Sequence, residues 1–207
     1  REVTPRSVPA GSNASPACPP SLACTVPLMR YSRAMASFNI EALRSWRAAR
    51  DHRFKTHYTS PIPEEHLASF AGLDYFEPAP SLVMEGSFTP ARGKVEINSS
   101  TGGTTAYHLA GHLELALDDR ICRLVVLHGE EGEMYIPFRD RTNGSGSYGG
   151  GRYVSIEVDE HFTAVVDFNR AVNPFCAYDE EFSCPLPPPD NWLPIAIRGG
   201  EKDYCPV

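Results

Sequence analysis

Leu109-Ala110-Gly111-His112-Leu113-Glu114-Leu115-Ala116-Leu117, then Asp118-Asp119, then Arg120-Ile121-Cys122-Arg123-Leu124-Val125-Val126-Leu127: this stretch decides the fold class. Leu113, Leu115 and Leu117 fall at every second position, the period of a strand that buries one face. Asp118-Asp119 is a turn signal, and Ile121, Leu124, Val125 and Leu127 resume an apolar strand pattern after it. The pattern extends both ways. Upstream, Leu82-Val83-Met84 opens a strand, and Val95 and Ile97 alternate with Lys94 and Glu96. Downstream follow Met134-Tyr135-Ile136, Tyr153-Val154-Ser155-Ile156 and Phe162 through Phe168. Thr101-Gly102-Gly103, Gly129 to Gly132, Asn143-Gly144 and Asp159-Glu160 separate them as turns. The connections are too short for crossover helices, so the strands pair as an antiparallel meander. The expected fold is mainly β: an antiparallel β-barrel or sandwich meander with one N-terminal amphipathic helix and proline-rich extended tails.

Outside the strands the periodicity changes. Over residues 37–57, Ile40, Leu43, Trp46, Arg50 and Phe54 recur at steps of three or four and predict a helix. Ser37 is its expected cap, with Glu41 in the first turn. Arg44, Arg47, Arg50, Arg53 and Lys55 make it basic, either a solvated face beside a core stripe or a partner-docking helix. A short helix is expected over 64–70, stopped by Gly72. Residues 1–30 hold Pro5, Pro9, Pro16, Pro19, Pro20 and Pro27 and read as an extended Pro/Ser/Ala-rich arm. Residues 31–200 read as a single β-rich domain, with strands over about 81–168 and an irregular Pro-rich strap over 173–200. Residues 201–207 read as a C-terminal tail.

The 207 residues carry 19 Lys+Arg and 26 Asp+Glu, a formal net charge of -7. An acid excess excludes a general nucleic-acid binder, which needs a basic face to displace counterions. No stretch approaches the roughly 20 apolar residues of a membrane helix. The sequence begins at Arg1 without an apolar signal core. A mature chain of an organellar or secreted protein, its targeting segment removed, is the favoured expectation over plain cytosol; a partial sequence is the other reading.

The chemistry-bearing residues gather late in the chain. Arg139, Arg152, Asp167, Asn169, Arg170, Asn173 and Cys176 are the ligand-binding candidates. Arg forks hold carboxylate or phosphate bidentately and Asn amides fix orientation, so a small anionic ligand at a barrel mouth fits them. The competing reading is a structural network, with Arg170 paired to Asp167 and Asn173 shaping a turn before Pro174. Tyr148-Gly149-Gly150-Gly151-Arg152 lacks the Lys-Ser/Thr of a phosphate loop and reads as a flexible hairpin or β-bulge. Cys18, Cys24, Cys176 and Cys184 are the candidate disulfide cysteines. Cys176 and Cys184 read first as a disulfide or as buried structural thiols, with a nucleophile or metal ligands as the lesser reading, and their spacing is not that of a zinc knuckle. His108 and His112 lack the Glu of a zinc-protease motif and lie far apart on a strand. No metal and no cofactor are expected, and no catalytic residue can be named. Sequons stand at Asn13, Asn98 and Asn143.

A longer pattern runs from Ile136 to Glu201. It includes Pro137-Phe138-Arg139-Asp140, Thr142-Asn143-Gly144, Tyr148-Gly149-Gly150-Gly151-Arg152-Tyr153 and Asp167-Phe168-Asn169-Arg170-Ala171. Asn173-Pro174, Cys176-Ala177-Tyr178, Cys184-Pro185-Leu186-Pro187-Pro188, Asn191-Trp192-Leu193-Pro194, Ile197-Arg198 and Gly200-Glu201 continue it. This resembles a widespread, mainly prokaryotic family catalogued as a domain of unknown function, closely over 136–201 and more loosely over 37–135. The resemblance supports the fold and implies no reaction. The leading expectation is a non-catalytic binding or structural module, an accessory subunit that contacts protein partners through residues 1–30 and 201–207. The alternative is a protein or enzyme that binds a small anionic ligand through the Arg/Asn/Cys cluster.

Overall fold

The computed structural model describes residues 38–205. The arm over 1–30, with Cys18, Cys24 and Asn13, lies outside the described residues, as does Ser37. In order come α1 (Ile40–Thr56), α2 (Glu64–Leu67), β1 (Val83–Pro90), β2 (Lys94–Asn98), β3 (Thr104–Leu117), β4 (Arg120–His128), β5 (Met134–Phe138), β6 (Arg152–Val158) and β7 (Thr163–Asp167). Consecutive strands β2 through β7 are antiparallel neighbours, the meander that the short turns dictate. β1 then pairs with β7 along Val83–Ser87 and with β3 along Gly86–Pro90. That double pairing closes β1 and β3–β7 into a six-stranded barrel and removes its open edges. β2 stands outside the ring, on the N-terminal half of the long β3.

The closing seam depends on Gly111, opposite Pro90. A Cβ there would come within 2.4 Å of the Thr89 carbonyl and 2.6 Å of the Phe88 ring. The same residue follows a register shift between Leu109 and Gly111 against β4, a bulge that bends β3 out of the β2 ladder and into the barrel.

The interior is filled by the residues that the alternation singled out. Leu113, Leu115 and Leu117 point in, with Leu124, Val126, Ile136, Phe138, Val154, Val166 and Phe168. β4 departs from simple alternation, because Leu124 through Leu127 are all buried. Val125 and Leu127 face outward into a second cluster with Ile97, Tyr107 and Tyr135. A strap covers the outside here: Leu186 N–H donates to Asn98 C=O and Ser100 N–H to Cys184 C=O.

α1 begins at Ile40, later than the expected 37, because the Asn39 side chain caps it by accepting from Ala42 N–H at 3.0 Å. Leu43 and Phe54 are buried, whereas Ile40 is exposed. Arg47 and Arg50 turn inward, so the basic face is only partly solvated. Arg47 donates to the carbonyls of Phe76 and Asn169, both at 3.2 Å. α2 is shorter than its expected range and ends at Leu67.

Candidate functional site

The strap is held by asparagines that act in place of peptide groups. Leu127 opposite Tyr135 sets a register in which Pro137 faces Val125. Proline has no N–H, so the β4–β5 ladder lacks a donor there. Asn191 fills the gap. Its Oδ1 accepts from Val125 N–H at 2.7 Å, and its Nδ2 donates to the carbonyls of Val125 and Pro137 at 2.9 and 2.7 Å. Asn169 does the same for Ala79, accepting from its N–H at 2.8 Å and donating to its carbonyl at 2.9 Å. Asn173 Nδ2 donates to the Lys202 carbonyl at 2.8 Å.

Arg152 is fully buried at the start of β6. Its guanidinium pairs with Asp140 at 2.7 Å and donates to the carbonyls of Ile197, Gly199 and Glu201. Burial lowers its pKa, opposed by the Asp140 charge. Asp140 completes the joint by accepting from Thr142 N–H at 2.7 Å and Ile197 N–H at 3.1 Å. A second ion pair lies close by: Glu201, also buried, meets Arg50 of α1 and accepts from Asn173 N–H at 2.7 Å and Tyr178 Oη at 2.5 Å. Burial lowers the Arg50 pKa, but the Glu201 carboxylate outweighs it and the net shift is upward.

Thus Arg152, Asn169 and Asn173 each hold the chain's own backbone. The remaining candidates lie further out. Arg170 pairs with Asp167 at 3.5 Å and sits over the Trp46 ring at 5.5 Å. Arg139 lies over the Trp192 ring at 5.1 Å. Glu201, placed by the sequence in a tail, belongs to this interior. Lys202 and Asp203 stay attached through backbone bonds to Asp74 and Gly146, so the strap continues past 200. The glycine run lies in the loop between β5 and β6; it is packed at Gly151, while nothing lies within 4 Å of a Cβ at Gly149. Gly151 has φ 102, and a Cβ there would meet Pro187 at 2.5 Å. Asn143 Nδ2 is held by Tyr148 C=O at 2.7 Å, while Asn98 is exposed.

Cys176 and Cys184 stand together as free thiols, with no disulfide between them. Cys176 N–H donates to Cys184 Sγ at 3.4 Å, and Tyr148 Oη lies 3.8 Å from Cys176 Sγ. The hydrogen bond from Cys184, with help from the Ser100 and Tyr148 hydroxyls and against burial, brings the Cys176 thiol down to about 6. The same hydrogen bond, together with burial, pushes Cys184 up. A separate open groove of about 400 Å³ runs between the β3–β4 turn and Arg141, Pro194 and Ile195. None of the predicted ligand residues lines it. Among the described residues no group of three or more His, Cys, Asp or Glu is placed to hold a metal ion, and no helix is long and apolar enough to cross a membrane.

The residues that sequence reasoning missed are Asp140, Glu201, Arg50 and Asn191. Pro137 in a strand pattern was the available signal for Asn191, because it announces a missing donor.

The family described as a protein of unknown function, DUF1684, matches residues 68–202. The solution NMR structure of an uncharacterised protein from gene locus rrnAC0354 of Haloarcula marismortui is similar, at 35% identity and a TM-score of 0.63, over 78% of this chain and 92% of that one. No curated protein matches the chain. The match spans the barrel, its strap, the Arg152–Asp140 ion pair and Glu201, and by it the chain belongs to the DUF1684 family.

Proposed function

We propose that the chain is a non-catalytic binding module, an accessory subunit that contacts protein partners through its N-terminal arm and its extreme C-terminus. The observation that carries this reading is the employment of the polar cluster: Arg152, Asn169, Asn173 and Glu201 are bonded to the chain itself. They make a rigid support and leave their polar groups facing inward. The strap so fixed turns Trp192 outward at 55% exposure, along with Phe175 and Phe182, and aromatic residues on a rigid support suit protein contact. The test is the native size in a gentle extract of the source, by size exclusion with mass-spectrometric identification. Elution far above 22.8 kDa with the same co-eluting proteins is the expected result. Elution as a free monomer overturns it.

One observation favours the second reading, a small anionic ligand: the buried Arg152 Nε has no hydrogen-bond partner. A thermal-shift screen of carboxylates and phosphates tests it, and a melting temperature unmoved by all of them removes it.

A further inference from the structure

We propose that Cys176 and Cys184 form a hydroperoxide-responsive dithiol, in which Cys176 is oxidised and Cys184 then closes a disulfide with it. The proposal is independent of the partner-binding reading.

The two cysteines are brought together by separately anchored segments. Cys176 lies in a 3-10 turn, Phe175–Ala177, that starts after Pro174 and carries Tyr178, whose ring packs on Phe54 of α1 at 5.2 Å. Cys184 is pinned to the β2–β3 turn. Its N–H donates to Ser100 Oγ at 2.9 Å, Ser100 N–H donates to its carbonyl at 2.9 Å, and the Ser183 and Ser99 hydroxyls meet at 2.5 Å. The loop between them folds on itself, with Asp179 accepting from Glu181 N–H at 2.9 Å. The two thiols are therefore neighbours without a bond: Cys176 N–H reaches Cys184 Sγ at 3.4 Å, and a disulfide needs a side-chain rotation that brings the sulfurs together. Both residues are buried, at 7% and 8% exposed, so the oxidant that suits them is a small peroxide and not a protein.

The surroundings favour a thiolate at one sulfur only. Cys176 receives the Cys184 S–H, with the Ser100 and Tyr148 hydroxyls beside it, and is lowered, while Cys184 keeps its proton. The other titratable groups near the pair are Tyr148, Tyr153, Tyr135 and Tyr107, with Asp203 beside Tyr148. Burial raises all four phenols, so they stay neutral between pH 5 and 9.

The chemistry balances with a hydroperoxide as oxidant. The Cys176 thiolate attacks the terminal oxygen, the O–O bond breaks, and Cys176 becomes a sulfenic acid. The departing alkoxide or hydroxide takes the Cys184 proton. The Cys184 thiolate attacks the Cys176 sulfur, the S–S bond forms, and hydroxide leaves as water with the proton that Cys176 gave up to solvent. Two thiols and one hydroperoxide thus yield one disulfide, one alcohol or water, and one further water. A small dithiol reverses it by exchange.

The experiment uses the reduced full-length chain, one equivalent of hydrogen peroxide and peptide mapping after alkylation. The expected product is a Cys176–Cys184 linkage, with the chain lighter by two hydrogen atoms. Iodoacetamide labelling of Cys176 in the untreated protein should rise with a midpoint near pH 6, well below the roughly 8.5 of an ordinary thiol. Cys184→Ser should stop the reaction at a sulfenic acid on Cys176, captured by dimedone. The proposal is overturned if peroxide leaves Cys176 as alkylatable as a reference thiol peptide, if the linkage forms through Cys122 or Cys205 instead, or if the midpoint matches the reference peptide. Because the wild-type chain alone supplies these results, a Ser variant that fails to fold changes nothing.

Discussion

At the scale of single residues, the protein uses side chains where its backbone runs out of partners. Asn191 supplies the peptide group that Pro137 lacks, and Arg152 gathers three carbonyls and one carboxylate at a point where the strap has no ladder to join. Such a centre holds only while it is complete, since one partner removed leaves a buried charge. Arg152→Met therefore lowers stability by about 3–5 kcal/mol. Asp140→Asn in the same chain returns part of that loss, because a neutral amide needs no counter-charge. Urea unfolding of both single variants and the double variant measures the coupling, and strictly additive losses would show that the pair is not coupled. The sequence marks Arg152 as important and leaves open whether it holds a ligand or the chain itself. An arginine looks the same on paper whether it faces a ligand or three carbonyls, and the carbonyls of Ile197, Gly199 and Glu201 arrive from a segment more than forty residues away.

At the scale of elements, the barrel is closed by β1 against β3 and β7, and the bulge before Gly111 makes that contact geometrically available. Gly111→Val places side-chain atoms against Thr89 C=O and the Phe88 ring and costs roughly 1–3 kcal/mol. Amide hydrogen exchange should accelerate along Gly86–Pro90 more than along β5 and β6. Uniform acceleration over all strands would show that the seam has no stability of its own. The strands themselves were legible because alternation is a local property of a half-buried strand. Closure was not. It pairs β1 with two strands that are remote in sequence, and either a sandwich or a barrel satisfies the same alternation. The strap's grip on the outer face of β4 was equally hidden: four consecutive buried residues, Leu124 through Leu127, become intelligible only with a cover on both sides.

At the scale of the whole molecule, α1, the barrel and the strap meet at two buried ion pairs, Arg152–Asp140 and Arg50–Glu201. Shared buried charges make the parts unfold together. The chain has 2 tryptophans, Trp46 on α1 and Trp192 on the strap, so fluorescence reports the helix and strap while far-ultraviolet circular dichroism is weighted to the strands. The two urea transitions should coincide. A fluorescence change that precedes the loss of strand signal would mean that the strap detaches from a barrel that still stands. What the sequence determined by itself is the strand and helix content, the antiparallel order, and the placing of apolar residues on an inner face, because these follow from short-range periodicity and turn chemistry. Only the tertiary structure decided that the ring closes, that the polar cluster holds the strap, and that Cys176 and Cys184 meet as thiols. Each of these rests on contacts between segments distant in the chain, and the partners of a buried polar group are fixed by packing and not by its neighbours in sequence.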